Sequence, residues 1–148
     1  MSILTFGIDP DSEAHGVAIF ADRRLVALNK MNLMGLMECF RNNLVSGHAL
    51  TVVVENVLAN RFMYDRNDHA RRAAATNIAM KVGRNQQAQI EVVRMCDFMG
   101  VPCKLIKPAR DNWANDKARF ERFTGWRERS NADTRSAAYF GFLGLDYH

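Results

Sequence analysis

Leu4-Thr5-Phe6-Gly7-Ile8-Asp9-Pro10-Asp11-Ser12 is the stretch whose reading decides the fold. Its apolar run reads as a buried strand, and the run stops on a carboxylate followed by a Pro-Asp-Ser turn signal. The next run, His15-Gly16-Val17-Ala18-Ile19-Phe20, reads as its hairpin partner. An acid at the mouth of a central strand costs desolvation energy unless a cation or a hydrogen-bond donor meets it. The residues alone leave two readings of Asp9 open: it binds a metal ion, or it caps the turn through an Asx hydrogen bond.

Working outward, Arg23-Arg24-Leu25-Val26-Ala27-Leu28 adds a third β-run, most simply as an antiparallel meander. Over 33–46, Leu33, Leu36, Met37, Phe40 and Leu44 fall at helical spacing, and Gly47 follows as a stop. Leu50-Thr51-Val52-Val53-Val54-Glu55 is nearly all β-branched and again ends on a carboxylate. Such runs mark strands covered on both faces, usually parallel ones. Residues 56–65 read as a connection. A helical pattern spans 66–99, with a break expected at Gly83-Arg84-Asn85.

A short strand follows over 101–106, closed by Lys107-Pro108. A helix over 112–124 ends at Gly125, and a last helix runs over 130–143. The order β-β-β-α-β-α-β-α-α predicts an α/β fold: one domain over 1–148, with a mixed sheet and helices on both faces. Ligands of open α/β sheets collect beyond the carboxyl ends of strands. If the strands ending in Asp9 and Glu55 are parallel neighbours, the two carboxylates face each other there.

Hydrophobic residues make up 48% of the 148 positions, enough for one well-buried domain. Met1-Ser2-Ile3 opens no signal-peptide pattern and no apolar run is long enough to span a bilayer, so a cytoplasmic protein without a membrane partner is expected. Cys39, Cys96 and Cys103 are odd in number and lack CxxC spacing, which reads as reduced, mostly buried thiols. The net charge of +4 is uneven, with residues 1–59 carrying −2 and residues 60–135 carrying +7. An acidic opening joined to an Arg-rich remainder suits a protein that holds metal ions beside a polyanion.

Asp133, in Ser130-Asn131-Ala132-Asp133, is the third carboxylate to set beside Asp9 and Glu55, although Ser-x-x-Asp also resembles a capping box. Carboxylate sites without His or Cys select hard cations such as Mg²⁺ or Mn²⁺. Two such ions about 4 Å apart can activate water and stabilise a leaving oxygen in phosphodiester hydrolysis. Lys117 shares a helical stripe with Trp113 and Phe120, and so faces the apolar side near a helix N-terminus. It reads either as a snorkelling lysine or as one aimed at a scissile phosphate. His15, His48 and His69 show no ligand spacing and read as surface or turn residues, while Met31, Met34 and Met37 read as core filler.

Phe6-Gly7-Ile8-Asp9-Pro10-Asp11-Ser12, with Gly16 following, resembles the first strand of RuvC-type Holliday junction resolvases of the ribonuclease H-like superfamily. The strand ending in Glu55 resembles their second acidic position, and Met80-Lys81-Val82-Gly83-Arg84 their Lys-Leu-Gly turn. Lys107, Lys117 and Ala132-Asp133 fall where that family places phosphate-contacting lysines and its last metal ligand. The narrower resemblance is to a divergent, phage-type member, in a bacterial or phage-infected cell.

The resemblance implies a ribonuclease H-like, five-stranded mixed sheet of order 3-2-1-4-5, a homodimer, and nicking of four-way or other branched DNA with two Mg²⁺ or Mn²⁺ ions per site. It gives Asp9 the place between both ions, Glu55 one ion and Asp133 the other. Lys117 would steady the cleaved phosphate, with Lys107, Arg84 and Arg110 as DNA contacts.

The chain departs from the family pattern in several places. Asp11 replaces a Gly, and Ser130 stands where a fourth Asp or His is usual, with Asp11 and Glu128 as possible substitutes. Leu58 replaces a base-stacking Phe, a role Phe62 or Tyr64 could take, since stacking needs an aromatic face. The competing readings are an actin-like ATPase or sugar kinase, for which the chain has room for only one of two domains, a ribonuclease H acting on RNA–DNA hybrids, and a junction-binding protein that does not cut.

Overall fold

The computed structural model describes residues 2–59 and 72–145. In chain order the elements are β1 (Ile3–Asp9), β2 (His15–Ala21), β3 (Arg24–Met31), α1 (Leu33–Val45), β4 (Ala49–Glu55), α2 (Arg72–Met99), β5 (Cys103–Ile106), α3 (Lys117–Thr124) and α4 (Ala132–Gly144). The sheet has the expected order, β3-β2-β1-β4-β5. The first three strands form an antiparallel meander, β4 lies parallel to β1, and β5 lies parallel to β4. The meander turns at Asp22 and Arg23, both at positive φ (49° and 74°), so Arg23 belongs to the turn and not to the strand.

Strand alternation sorts the core onto two faces. Leu4, Phe6 and Ile8 of β1 and Leu50, Val52 and Val54 of β4 meet Leu36 and Phe40 of α1 and Val92, Met95 and Cys96 of α2. On the other face Ala18 and Phe20 of β2 pack with Trp113, Phe120, Ala137 and Ala138, which belong to the α3–α4 side. The odd-numbered residues of β1 and β4 point to this second face. Gly7 lies directly under α4, where a Cβ would stand 2.7 Å from Gly141 N and closer still to the Ala137 carbonyl oxygen. A missing side chain in the central strand therefore sets how near α4 can lie.

Several expectations are corrected. The helix α2 runs unbroken through Gly83, since nothing approaches that residue and no proline interrupts the ladder. The helix expected over 112–124 divides into a 3₁₀ turn, Trp113–Asn115, and α3, because Asp116 leaves helical geometry (φ −135°, ψ 74°) to cap α3 by accepting from Arg119 N–H at 3.1 Å. Trp113 and Lys117 thus do not share a stripe: Trp113 is buried and Lys117 exposed.

The last helix is capped by Asn131 with Thr134, not by Ser130 with Asp133, which leaves the Asp133 carboxylate out of the cap. His15 is buried, its Nδ1 accepting from the Asp11 N–H at 3.2 Å, whereas Met34 is exposed. His69 and the Arg71 side of the long helical stretch lie outside the described residues. Among the described residues no helix is long and apolar enough to cross a membrane.

Candidate metal centre

One row across the sheet builds the site. Lys30 of β3 pairs with Gly16 of β2, and Gly16 pairs with Asp9 of β1. Glu55 of β4 lies one step beyond the last β1–β4 pair, Ile8–Val54. With strands about 4.8 Å apart, the row reads Lys30, Gly16, Asp9, Glu55. Above it comes the first turn of α4. A Cβ on Gly16 would lie 2.8 Å from the Asp133 carbonyl carbon, so the absence of a side chain at Gly16 is what lets α4 set Asp133 down between Asp9 and Lys30.

The electrostatics follow from this crowding. Asp9 is pushed up to about 8, first by burial, then by the charge of Glu55 and a side-chain hydrogen bond with it, and then by Asp133; the Ser136 hydroxyl, donating to Asp9, opposes the rise. Burial also raises Glu55, against the lowering effect of its bond with Asp9. Burial and mutual repulsion raise both groups, which favours one proton shared between the two carboxylates. Asp133 does not join that bond: its Oδ2 accepts from Lys30 Nζ at 2.6 Å. The Asx turn that was one reading of Asp9 belongs to Asp11, whose Oδ1 accepts from Glu13 N–H at 2.9 Å.

Each carboxylate is therefore delivered by a different element, β1, β4 and α4, to the carboxyl edge of the central strands. Oxygen-only donors of this kind suit a hard divalent cation. Among the described residues no three acidic, imidazole or thiol groups already converge on a single point, because Asp133 is turned to Lys30 while Asp9 and Glu55 face each other.

Two site residues escaped the sequence reading. Lys30 sits on an edge strand with only the polar pair Asn29-Lys30 near its end to mark it. Ser136 lies one helical turn after Asp133, buried among alanines, and it rather than Ser130 stands at the acids. Ser130 instead accepts from the Arg135 guanidinium at 2.9 Å.

The basic residues spread along the rim. Lys107 follows Ile106, the β5 partner of Glu55, and is exposed, and Arg110 in the loop beyond it is exposed too. Arg84 is exposed and shares with Asp11 and His15 the lining of a cavity of about 450 Å³ beside the β1–β2 turn. That turn is tied to α2 by a Ser12 N–H to Asn85 Oδ1 bond of 3.2 Å. The Lys117 side chain makes no hydrogen bond or ion pair among the described residues. Glu128 is exposed, and Phe62 and Tyr64 lie outside the described residues. Beyond Glu55, buried Gln89 of α2 fixes the chain by donating to Asn56 Oδ1 at 3.0 Å and accepting from Leu58 N–H at 3.3 Å.

The shared proton has a measurable consequence. Between about pH 4 and about pH 8 the folded, metal-free pair holds a proton that the unfolded chain releases. Stability of the metal-free protein therefore falls as pH rises through that window and levels off above it. Thermal melts in a chelator from pH 5 to pH 9 are expected to show Tm falling by several degrees, and excess Mn²⁺ at pH 8 to restore it by mass action. A Tm that rises steadily over the same range would contradict the carboxylate pairing.

No protein-family model matches the chain, and no curated protein matches it either. Solved structures do match. The chain is similar to Thermus thermophilus RuvC in complex with a Holliday junction substrate, with 18% identity and a TM-score of 0.57, over 97% of this chain and 94% of that one. A second Thermus thermophilus RuvC structure matches with 18% identity and a TM-score of 0.54 over the same shares. Likeness at this identity shows the fold, a RuvC-like arrangement within the ribonuclease H-like architecture.

Proposed function

We propose that the chain is a metal-dependent, structure-selective endonuclease that cuts four-way DNA junctions by hydrolysing phosphodiester bonds. The observation that carries this reading is the delivery of Asp9, Glu55 and Asp133 by three separate elements to one end of the sheet. Asp9 and Glu55, buried face to face with Asp133 close by, are costly to keep without a cation to neutralise them. Likeness of fold to a RuvC bound to a Holliday junction substrate supports DNA as the polyanion.

In this reading Asp9, Glu55 and Asp133 hold Mg²⁺ or Mn²⁺, and the bound ions supply an activated water and a charge to stabilise the leaving oxygen. The protein's own contribution is placement. The Ser136 hydroxyl orients Asp9, and the Gln89–Asn56 bond holds the backbone just beyond Glu55. Lys107, next to the β5 partner of Glu55, together with exposed Arg84, Arg110 and Lys117, offers cations to the DNA backbone. Two such sites in a homodimer would cut opposite strands as a pair.

One observation favours a second reading. The Lys30–Asp133 ion pair already neutralises one of the three acids, as a protein that binds junctions without cutting them could arrange. Incubating the full chain with a labelled mobile four-way junction in Mg²⁺, in Mn²⁺ and in chelator separates the two. Paired, symmetric nicks that need the metal support the endonuclease. Tight binding without nicks in either metal, across several junction sequences, overturns it in favour of the binding protein. Cleavage confined to RNA–DNA hybrids would assign the same site to a ribonuclease H.

A further inference from the structure

Lys30 lies in the same row of the sheet as Asp9, on the far side of Gly16, and its ammonium reaches up to Asp133 on α4. It feels Asp133 first and then Asp11 and Asp9, so it is set among acids on several sides. The contact is short, 2.6 Å, yet neither partner is sealed: the side chains of Lys30 and Asp133 are 36% and 47% exposed. An ion pair open to water to this extent is a weak latch that a stronger cation can displace. While the latch is closed, Asp133 is withdrawn from the Asp9–Glu55 pair. An ammonium this close also repels a divalent ion approaching Asp133.

We infer that Lys30 competes with the divalent cation for Asp133, so that ions load in order. The first ion goes to Asp9 and Glu55, which end neighbouring strands and leave Lys30 to Asp133. The second is bound only when Lys30 gives up Asp133, and is therefore the weaker. Lys30 is a positioning residue, acting through Asp133. The inference rests on the metal-dependent reading of the site.

The test is Mn²⁺ titration of the metal-free full chain without DNA, following free Mn²⁺ by electron paramagnetic resonance. Wild type is expected to show one tighter and one weaker step. Lys30→Met, or Lys30→Gln if the methionine variant folds poorly, is expected to tighten the weaker step about tenfold, while Lys30→Arg leaves it near wild type. In an Asp133→Asn background the same Lys30 change is expected to have no effect, which a merely structural role for Lys30 would not produce.

If Lys30→Met and Lys30→Gln bind Mn²⁺ as wild type does, the competition is overturned while the metal site stands. If wild type and all variants fail to bind Mn²⁺, the metal-dependent reading falls, and this inference falls with it.

Discussion

Replacing Asp9 by Asn is expected to lower junction cleavage by about a thousandfold or more while changing junction affinity by less than about threefold. Asp9 stands in the middle of the row, with Glu55 on one side, Asp133 above and the Ser136 hydroxyl against it, so no other carboxylate can take its place between the two neighbours. The amide is nearly isosteric but cannot supply the charge a hard cation needs. Affinity is expected to survive because the exposed cations on the rim are untouched.

The same substitution has a second, opposite signature. Asn carries no charge to desolvate, so metal-free Asp9→Asn is expected to melt about 5 °C above metal-free wild type at pH 8, and to lose most of the fall in Tm between pH 5 and pH 8. An inactive variant that is also less stable at pH 8 would mean that Asp9 serves the fold and not the chemistry. Cleavage retained within about tenfold would remove Asp9 from the catalytic set altogether.

What the sequence disclosed and what it hid have physical causes. Asp9 and Glu55 were legible because each ends an apolar strand abruptly, and burial makes an acid in that place conspicuous. The mixed sheet followed from a short meander and then crossovers long enough to carry helices, while its order was what the RuvC-type resemblance implied. Lys30 was hidden because its partner, Asp133, is 103 residues away, and a lysine near the end of an edge strand is ordinarily just a solvated residue. Plain hairpin counting from the Asp22-Arg23 turn pairs Gly16 with Asn29, and only the irregularity at Ile19/Phe20 brings Lys30 beside Gly16.

Ser136 was hidden by its surroundings, since a serine among alanines reads as one more small residue on a buried helix face. Apolar spacing puts Lys117 on a buried stripe, but capping decides this segment and leaves it exposed. Asn112 and Asp116 each cap the element that follows, which divides the segment where the spacing suggested one helix. Gly83 was overread in the other direction, as one glycine costs a long helix only about 1 kcal/mol and does not end it.

Two glycines that look alike in the sequence are expected to respond to alanine with opposite sign. At Gly7 the new Cβ would strike backbone, with Gly141 N at 2.7 Å, Gly141 Cα at 2.8 Å and the Ala137 carbonyl oxygen nearer still. Backbone of a packed helix cannot rotate away as a side-chain tip can, so relief requires α4 as a whole to lift from the sheet. Lifting it loosens Ala137, Ala138 and Phe140, all fully buried, and carries Asp133 off the row of Asp9 and Lys30.

Overpacking ordinarily costs 1–3 kcal/mol, and this collision belongs at or above the top of that range, about 4 kcal/mol. Against a total stability of roughly 5–15 kcal/mol, Gly7→Ala is expected to leave the protein partly unfolded at 37 °C and without a functional site even where it folds. At Gly83 nothing lies within 4 Å of the new Cβ and the residue is exposed on α2, so alanine is expected to stabilise the protein by up to about 1 kcal/mol. Urea denaturation of both variants measures the contrast. A Gly7→Ala protein within about 1 kcal/mol of wild type would show that α4 does not bear on β1 as closely as the position of Asp133 requires.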